Sequence, residues 1–220
     1  MSVVERYREL LERLDAWFAE ASERHPGVVP CKRGCSACCL GPFDVSAADA
    51  ALIEEAFRAL PKGAREEVVA RAREQMQEVG RLEPGWEAPH DIGSIGERRF
   101  DRVCAALAKA PCPFLDAKGA CRIYRDRPLA CRMMGLPMRA GRDRVIENAC
   151  PIRRQFPEYA TLPPQPFSLA AFEREEEAFA AEAAVQLFGP GGQARAGLRT
   201  FLAAWVLGIA NSGPPIRNIH

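Results

Sequence analysis

Apolar residues recur with helical spacing at the start of the chain: Val3, Val4, Tyr7, Leu10, Leu11, Leu14, Trp17 and Phe18. That period predicts an amphipathic helix ending before Pro26. Ser46, with Asp49 three residues on, predicts the N-cap of a second helix running to about Leu60. Pro61-Lys62-Gly63 breaks it, and a third helix covers roughly residues 64–79. Residues 83–93 are rich in proline and glycine and read as a loop. Ser94-Ile95-Gly96-Glu97 has the form of a capping box and predicts a helix to about Lys109. Phe100, Val103, Cys104 and Leu107 lie near one face of it. Cys104 is therefore expected to pack as a small hydrophobe in the core.

The pattern then changes. Residues 112–124 hold two short apolar runs around a turn at 116–119, which predicts a hairpin. Asp126 is placed to cap a short helix with Pro128 in its first turn and Cys131 inside it. A second hairpin is expected from residues 136–138 and 145–146 around a turn at 140–143. Residues 157–167 carry four prolines and read as a stiff linker. Ser168 starts a long helix to Phe188. Gly189-Pro190-Gly191-Gly192 follows it and reads as a C-cap turn. A last helix is expected over 193–210. The fold class is mainly α with small β-hairpins, an irregular cysteine-rich metal-binding module flanked by N- and C-terminal helices. The expected division is a cysteine-cluster domain with its N-terminal helix over 1–155, then a linker and helical extension over 156–220.

Candidate chemistry sits in the cysteines. Eight of the nine fall into two blocks: Cys31, Cys35, Cys38 and Cys39, then Cys112, Cys121, Cys131 and Cys150. Thiolates are soft ligands and select zinc, copper(I) or iron–sulfur clusters. Cys35 and Cys38 have the C-x2-C spacing at which two thiolates converge on one centre. Cys38 and Cys39 are adjacent, and neighbouring side chains diverge. The first block thus serves two centres, or one cluster with a spare thiol. Only one C-x2-C pair is present and no histidine lies in either block. Cys112-Pro113 and Cys150-Pro151 resemble the Cys-Pro ending of ferredoxin cluster runs. Arg122 and Arg132 directly follow ligand candidates and could balance thiolate charge. An iron–sulfur cluster is the favoured cofactor, with zinc on two four-thiolate sites the alternative.

Length and charge limit the other readings. A chain of 220 residues buries enough core that disulfide staples are unnecessary. Residues 2–14 are charged throughout and lack the apolar core of a signal peptide. The most apolar stretch, 201–210, is shorter than a membrane span. A cytoplasmic location is expected, where paired cysteines hold metals in preference to disulfides.

Several segments together resemble a known family: Cys31-x3-Cys35-x2-Cys38-Cys39, Cys112-Pro-Phe-Leu, Cys121-Arg-Ile-Tyr, Arg127-Pro128-Leu-Ala-Cys131-Arg132 and Cys150-Pro. They are similar to the YkgJ-type cysteine-cluster proteins, described as zinc- or iron-chelating. The resemblance spans about 31–150. It implies that the same eight cysteines form the ligand set and leaves Cys104 outside it. The first gap departs from many relatives, with Lys32-Arg33-Gly34 where two residues are usual. The chain also resembles, more distantly, flagellin lysine N-methylases. That likeness implies an enzyme using S-adenosylmethionine as one alternative. A structural zinc module presenting a partner surface is another. No strand, glycine-rich turn and helix suited to a Rossmann-like methyltransferase is visible.

The net charge is +1, but residues 118–154 carry ten basic side chains against Asp126, Asp143 and Glu147. Only Tyr124 interleaves with them, so the stacking platform of single-strand binders is missing and nucleic acid is not expected. An unidentified protein partner is compatible with the amphipathic outer helices, and no membrane association is expected. Arg127 and Arg132 read either as partners of a cluster or as packing arginines paired with Asp126. Tyr124 is expected to pack beside the first hairpin. Met133, Met134 and Met138 read as adaptable core filling. His90 reads as a solvated loop residue, and His25 and His220 show no partner signal.

Overall fold

A computed structural model describes residues 1–142 and 144–211, which leaves Asp143 of the second turn and His220 outside the described residues. Helix α1 spans Val3–Glu23. The Ser2 hydroxyl accepts the Glu5 N–H, and the Glu5 carboxylate accepts the Ser2 N–H at 2.6 Å, so both orphan donors of the first turn are satisfied. Its stripe from Val3 to Trp17 is buried as the spacing predicts. Helix α2 spans Ala47–Ala59 and is capped by the Ser46 hydroxyl on the Asp49 N–H. It lies at the centre of the molecule, with Leu52 and Ile53 fully enclosed. Helix α3 runs over Lys62–Leu82, starting directly after Pro61 and continuing through Gly80, beyond the expected range at both ends.

Helix α4 spans Glu97–Ala106. The expected capping box does not form there. Gly96, at φ 79°, is the N-cap without a side-chain bond, and the Ser94 hydroxyl donates instead to the Asp91 carbonyl in a preceding 3-10 turn. Helix α5 is one turn, Leu129–Arg132, and α6 another, Pro157–Ala160. Helix α7 spans Leu169–Phe188 and closes on Gly189, whose N–H donates to the Val185 carbonyl. The glycine-rich run is thus a C-cap turn. Helix α8 is confined to Leu202–Asn211. The helix expected over 193–210 is broken because Thr200–Phe201 forms strand β5 against β1, Asp44–Val45. Sheet pairing there overrides the helical pattern.

The second hairpin forms as expected from β2, Met138–Arg139, and β3, Val145–Ile146. The proline-rich stretch adds β4, Gln165–Pro166, parallel to β2. So that stretch is a sheet edge, where proline's missing donor is tolerated.

Helices α1, α2 and α7 pack together, and α3 packs on α8. Tyr7, Leu11, Leu14, Leu52, Ile53, Ala183 and Val206 belong to the resulting core. A second apolar cluster of Val79, Trp86, Ile95, Val103, Leu107 and Phe201 underlies α4. The mainly helical class with small sheets is the observed one. Among the described residues no helix is long and apolar enough to cross a membrane.

Candidate metal centre

The chain leaves α1 into a loop curled by two successive turns. The Cys35 N–H donates to the Lys32 carbonyl and the Cys39 N–H to the Ser36 carbonyl, both at 2.9 Å. The loop is then stitched to the chain following α4. The Cys112 N–H donates to the Cys39 carbonyl at 2.9 Å and the Gly41 N–H to the Ala110 carbonyl at 2.8 Å, around an antiparallel bridge between Leu40 and Pro111. Cys121 lies across the first hairpin from Leu115. The Asp116 carboxylate closes its tip by accepting the Lys118 and Ala120 N–H groups at 2.8 Å. Gly119 holds the turn at φ 76°, a region side chains rarely enter. Cys131 sits on α5. The Cys150 N–H donates to the Asn148 Oδ1 at 3.0 Å.

These segments surround a cavity of about 110 Å³ whose wall includes Cys31, Cys35, Cys38, Cys39, Cys112, Cys121 and Cys131. Phe18, Phe43, Phe114, Leu115, Ile123 and Leu202 supply apolar wall, and Lys32, Arg127 and Arg132 supply positive charge. Cys150 is buried just outside this wall, close enough to Cys31 and to the Tyr159 hydroxyl to act on both. Cys104 stands apart on α4, partly buried beside Asp101 and Asp44, less enclosed than expected and absent from both apolar clusters. All nine cysteines are free thiols. Among the described residues no three His, Cys, Asp or Glu side chains are drawn tightly enough together to hold one ion. The sulfurs surround a space instead of meeting at a point.

Burial holds most of these thiols neutral. It pushes Cys31 up to about 11 and Cys112 up to about 12, with neighbouring thiolates adding to both. Burial raises Cys121 and Cys131 in the same direction. Cys38 moves the other way, down to about 7, because the Cys39 thiol donates a hydrogen bond to its sulfur. Cys39 is correspondingly held protonated. A cation entering such a set displaces protons as it binds. Arg127 is the positive group that favours the thiolates of Cys31, Cys38 and Cys121.

The partners of several supporting residues carry no signal in the sequence. Arg127 and Arg132 do not pair with Asp126, as the spacing suggested. Both reach Asp15 on α1, Arg127 at 2.6 Å, while Asp126 holds Arg8 at 2.8 Å. The Arg132 side chain is 1% exposed and also donates to the carbonyls of Arg127 and Arg125. Arg127 lies over the Tyr124 ring at 4.3 Å and Arg33 over it at 5.5 Å, so Tyr124 packs against two cations. Asp49 of α2 accepts the Leu129 N–H at 2.9 Å, taking the cap of α5 expected from Asp126. The Tyr159 hydroxyl donates to the Gly135 carbonyl at 2.5 Å. Gly135, at φ 106°, presses against Cys31, and a Cβ there would meet its Sγ at 3.1 Å. Met138 is core and Met133 packs on it, but Met134 lines the cavity. His90 is half-buried against Trp86, not a freely solvated loop residue, and is not part of the thiol-lined wall.

No curated protein and no solved structure matches the chain. A family model does: CxxCxxCC, described as a zinc- or iron-chelating domain, over residues 30–151, a span that contains both cysteine blocks. With more than half its length matched by that model, the chain belongs to the CxxCxxCC family of metal-chelating domains.

Proposed function

We propose that the chain holds an iron–sulfur centre through Cys31, Cys35, Cys38, Cys39, Cys112, Cys121, Cys131 and Cys150. The observation that carries this reading is the ring of seven thiols around one apolar-walled space, with Cys150 beside Cys31. A lone zinc ion binds thiolates at about 2.3 Å, so its sulfurs crowd to about 3.8 Å of one another. A cluster binds each thiolate through a different iron and spaces them wider, which suits sulfurs spread around the wall of a cavity of about 110 Å³. The donor set is all sulfur, the choice of soft metals and clusters.

The protein's own part is to position and shield. Apolar walls from Phe18, Phe43, Phe114 and Leu202 keep water from the sulfurs. Arg127 offsets part of the thiolate charge. The Cys39–Cys112 backbone bond fixes the two blocks against each other. When bound, a cluster supplies one-electron chemistry at a potential tuned by this shell.

Anaerobic isolation tests the reading. Brown protein with the broad visible absorption of a cluster, containing iron and acid-labile sulfide, is the expected result. Colourless protein carrying stoichiometric zinc would assign zinc as the native metal.

A further inference from the structure

We propose that a second cavity, of about 360 Å³ and separate from the metal centre, binds a small monocarboxylate with an apolar body, Arg195 holding the carboxylate and Phe188 and Trp205 flanking the body. The proposal stands on residues outside the thiol-lined wall and does not depend on which metal the cysteines hold.

Three parts of the chain meet at this cavity. They are the loop at Ala88–His90, the end of α7 with the turn Gly192–Arg195 behind it, and α8 from Ala204 to Asn211. Met76 of α3 adds to the wall. Helix α8 also lends Leu202 to the thiol-lined cavity, but the two cavities share no lining residue among those described. An apolar hollow of this size with a few polar groups is the usual form of a small-molecule site.

The wall is fixed by bonds within the protein. The Trp205 indole N–H donates to the Ala50 carbonyl at 3.0 Å, so its donor is used and the ring offers apolar surface. Phe188 stands edge-on to it, with ring centroids 6.1 Å apart. The Thr200 hydroxyl donates to the Pro89 carbonyl at 2.6 Å, and the Ile92 N–H to the Arg199 carbonyl at 2.9 Å. Both bonds tie the loop to β5 and its approach. A cavity held open in this way asks little ordering of the protein when a ligand enters.

The polar groups select the charge. Arg195 lies over the Phe188 ring at 5.0 Å, and among the described residues no carboxylate pairs with it or lines the cavity. A guanidinium over a ring keeps its N–H fork for a carboxylate. His90 has φ 57°, and among the described residues no other non-glycine residue has a positive φ. Side chains seldom take that backbone, and such strain gathers at binding sites. The His90 ring packs against Trp86 at 5.6 Å, and burial lowers its pKa, so at neutral pH it brings a hydrogen-bonding nitrogen without a second charge. One fixed cation matches one negative charge, which favours a carboxylate over a doubly charged phosphate.

Titration of the full chain with octanoate, octanol and octylammonium, read by calorimetry and tryptophan fluorescence, decides the matter. Octanoate should bind one to one, with octanol and octylammonium weaker by about tenfold or more, because each lacks the charge-assisted bond. Arg195→Gln, at an exposed position, should weaken octanoate by about tenfold and leave octanol unchanged. Ala204→Phe should fill the space and abolish binding of both. Arg195→Gln alone keeps the test sound if the larger side chain upsets folding. No response to millimolar octanoate would overturn the proposal. So would equal affinity for octanoate and octylammonium, or octanoate binding untouched by Arg195→Gln. Octanoate binding that appears only after removal of residues 212–220 would give the space to that segment and overturn it as well.

Discussion

Cys39 and Cys112 are joined through their main chains, the Cys112 N–H donating to the Cys39 carbonyl at 2.9 Å. This bond and its partner from Gly41 to Ala110 form a two-rung zipper between segments distant in sequence. The thiols on either side are thereby assembled by backbone bonds that need no metal. A centre built this way has part of its ligand geometry fixed in advance, so less conformational freedom is lost when metal enters.

Gly135→Ala should loosen the corner occupied by Cys31. The position has φ 106°, and a methyl group would lie 3.1 Å from the Cys31 Sγ and from a Phe18 ring carbon. Left-handed backbone costs a non-glycine residue about 1–2 kcal/mol before any crowding is counted. Urea unfolding should show a loss of about 2 kcal/mol, and metal analysis a fall in occupancy. An unchanged midpoint with full metal content would show that the corner yields freely.

Asp15→Ala should destabilise more than its own exposure suggests. Asp15 is one-third exposed, but Arg132, which it neutralises, is 1% exposed. Removing the carboxylate leaves a buried guanidinium held by carbonyls alone, with Arg127 close by. A stranded buried charge costs several kcal/mol in full isolation, and solvent at Asp15 reduces this to about 2 kcal/mol. Asp15→Asn keeps an acceptor and should cost less. Equal thermal midpoints for parent and both variants would place the stabilisation elsewhere.

How much of this was legible beforehand differs by element. Helices α1, α2 and α7 follow from local signals, the apolar period of α1, the Ser46 cap of α2 and the glycine-rich stop after α7, because these lie within the element or one turn of its boundary. The start of α8 was not legible, since Thr200–Phe201 is claimed by a strand far away in sequence. The cysteine spacing announced a soft-metal site, but not the Phe18, Phe43 and Leu202 walls, which come from separate parts of the chain. Asp15 looks like an ordinary polar position of a helix, and Asp49 like part of the start signal of α2. Their partners, Arg132 and the Leu129 N–H, are set by how α1 and α2 dock against α5.

Cys104→Ser should leave metal content unchanged. Cys104 lies on α4 beside Asp101 and Asp44, away from the thiol-lined wall. Serine is close in size, and the site is only partly buried, so stability should shift by less than about 1 kcal/mol. Loss of metal in this variant would make Cys104 a ligand and require a different set of eight.

Asp49→Asn tests the group that joins the helical core to the cysteine-bearing turn. Its Oδ1 accepts the Tyr7 hydroxyl and the Leu129 N–H, both at 2.9 Å. Burial is the main cause that raises its carboxyl from 3.8 to about 6, and the nearby Glu176 adds to it. Glu176 is itself buried, with one carboxylate oxygen lacking a hydrogen-bond partner. Tyr7 stays neutral, since burial raises it well above its usual value, and Arg199 is the cation that senses Asp49. Between the unfolded value near 4 and the folded value of about 6, the native state keeps a proton that the unfolded chain has released. The stabilisation is therefore full below about pH 4, falls as pH rises to about 6 and is flat above. A shift of about two units corresponds to roughly 3 kcal/mol. Asparagine offers the same acceptor oxygen to Tyr7 and Leu129 without titrating. Urea unfolding of metal-depleted protein across this window should show the slope in the parent and its loss in the variant, which should be the more stable protein at neutral pH. Parallel profiles for the two proteins would mean that Asp49 ionises in the folded state as it does in water.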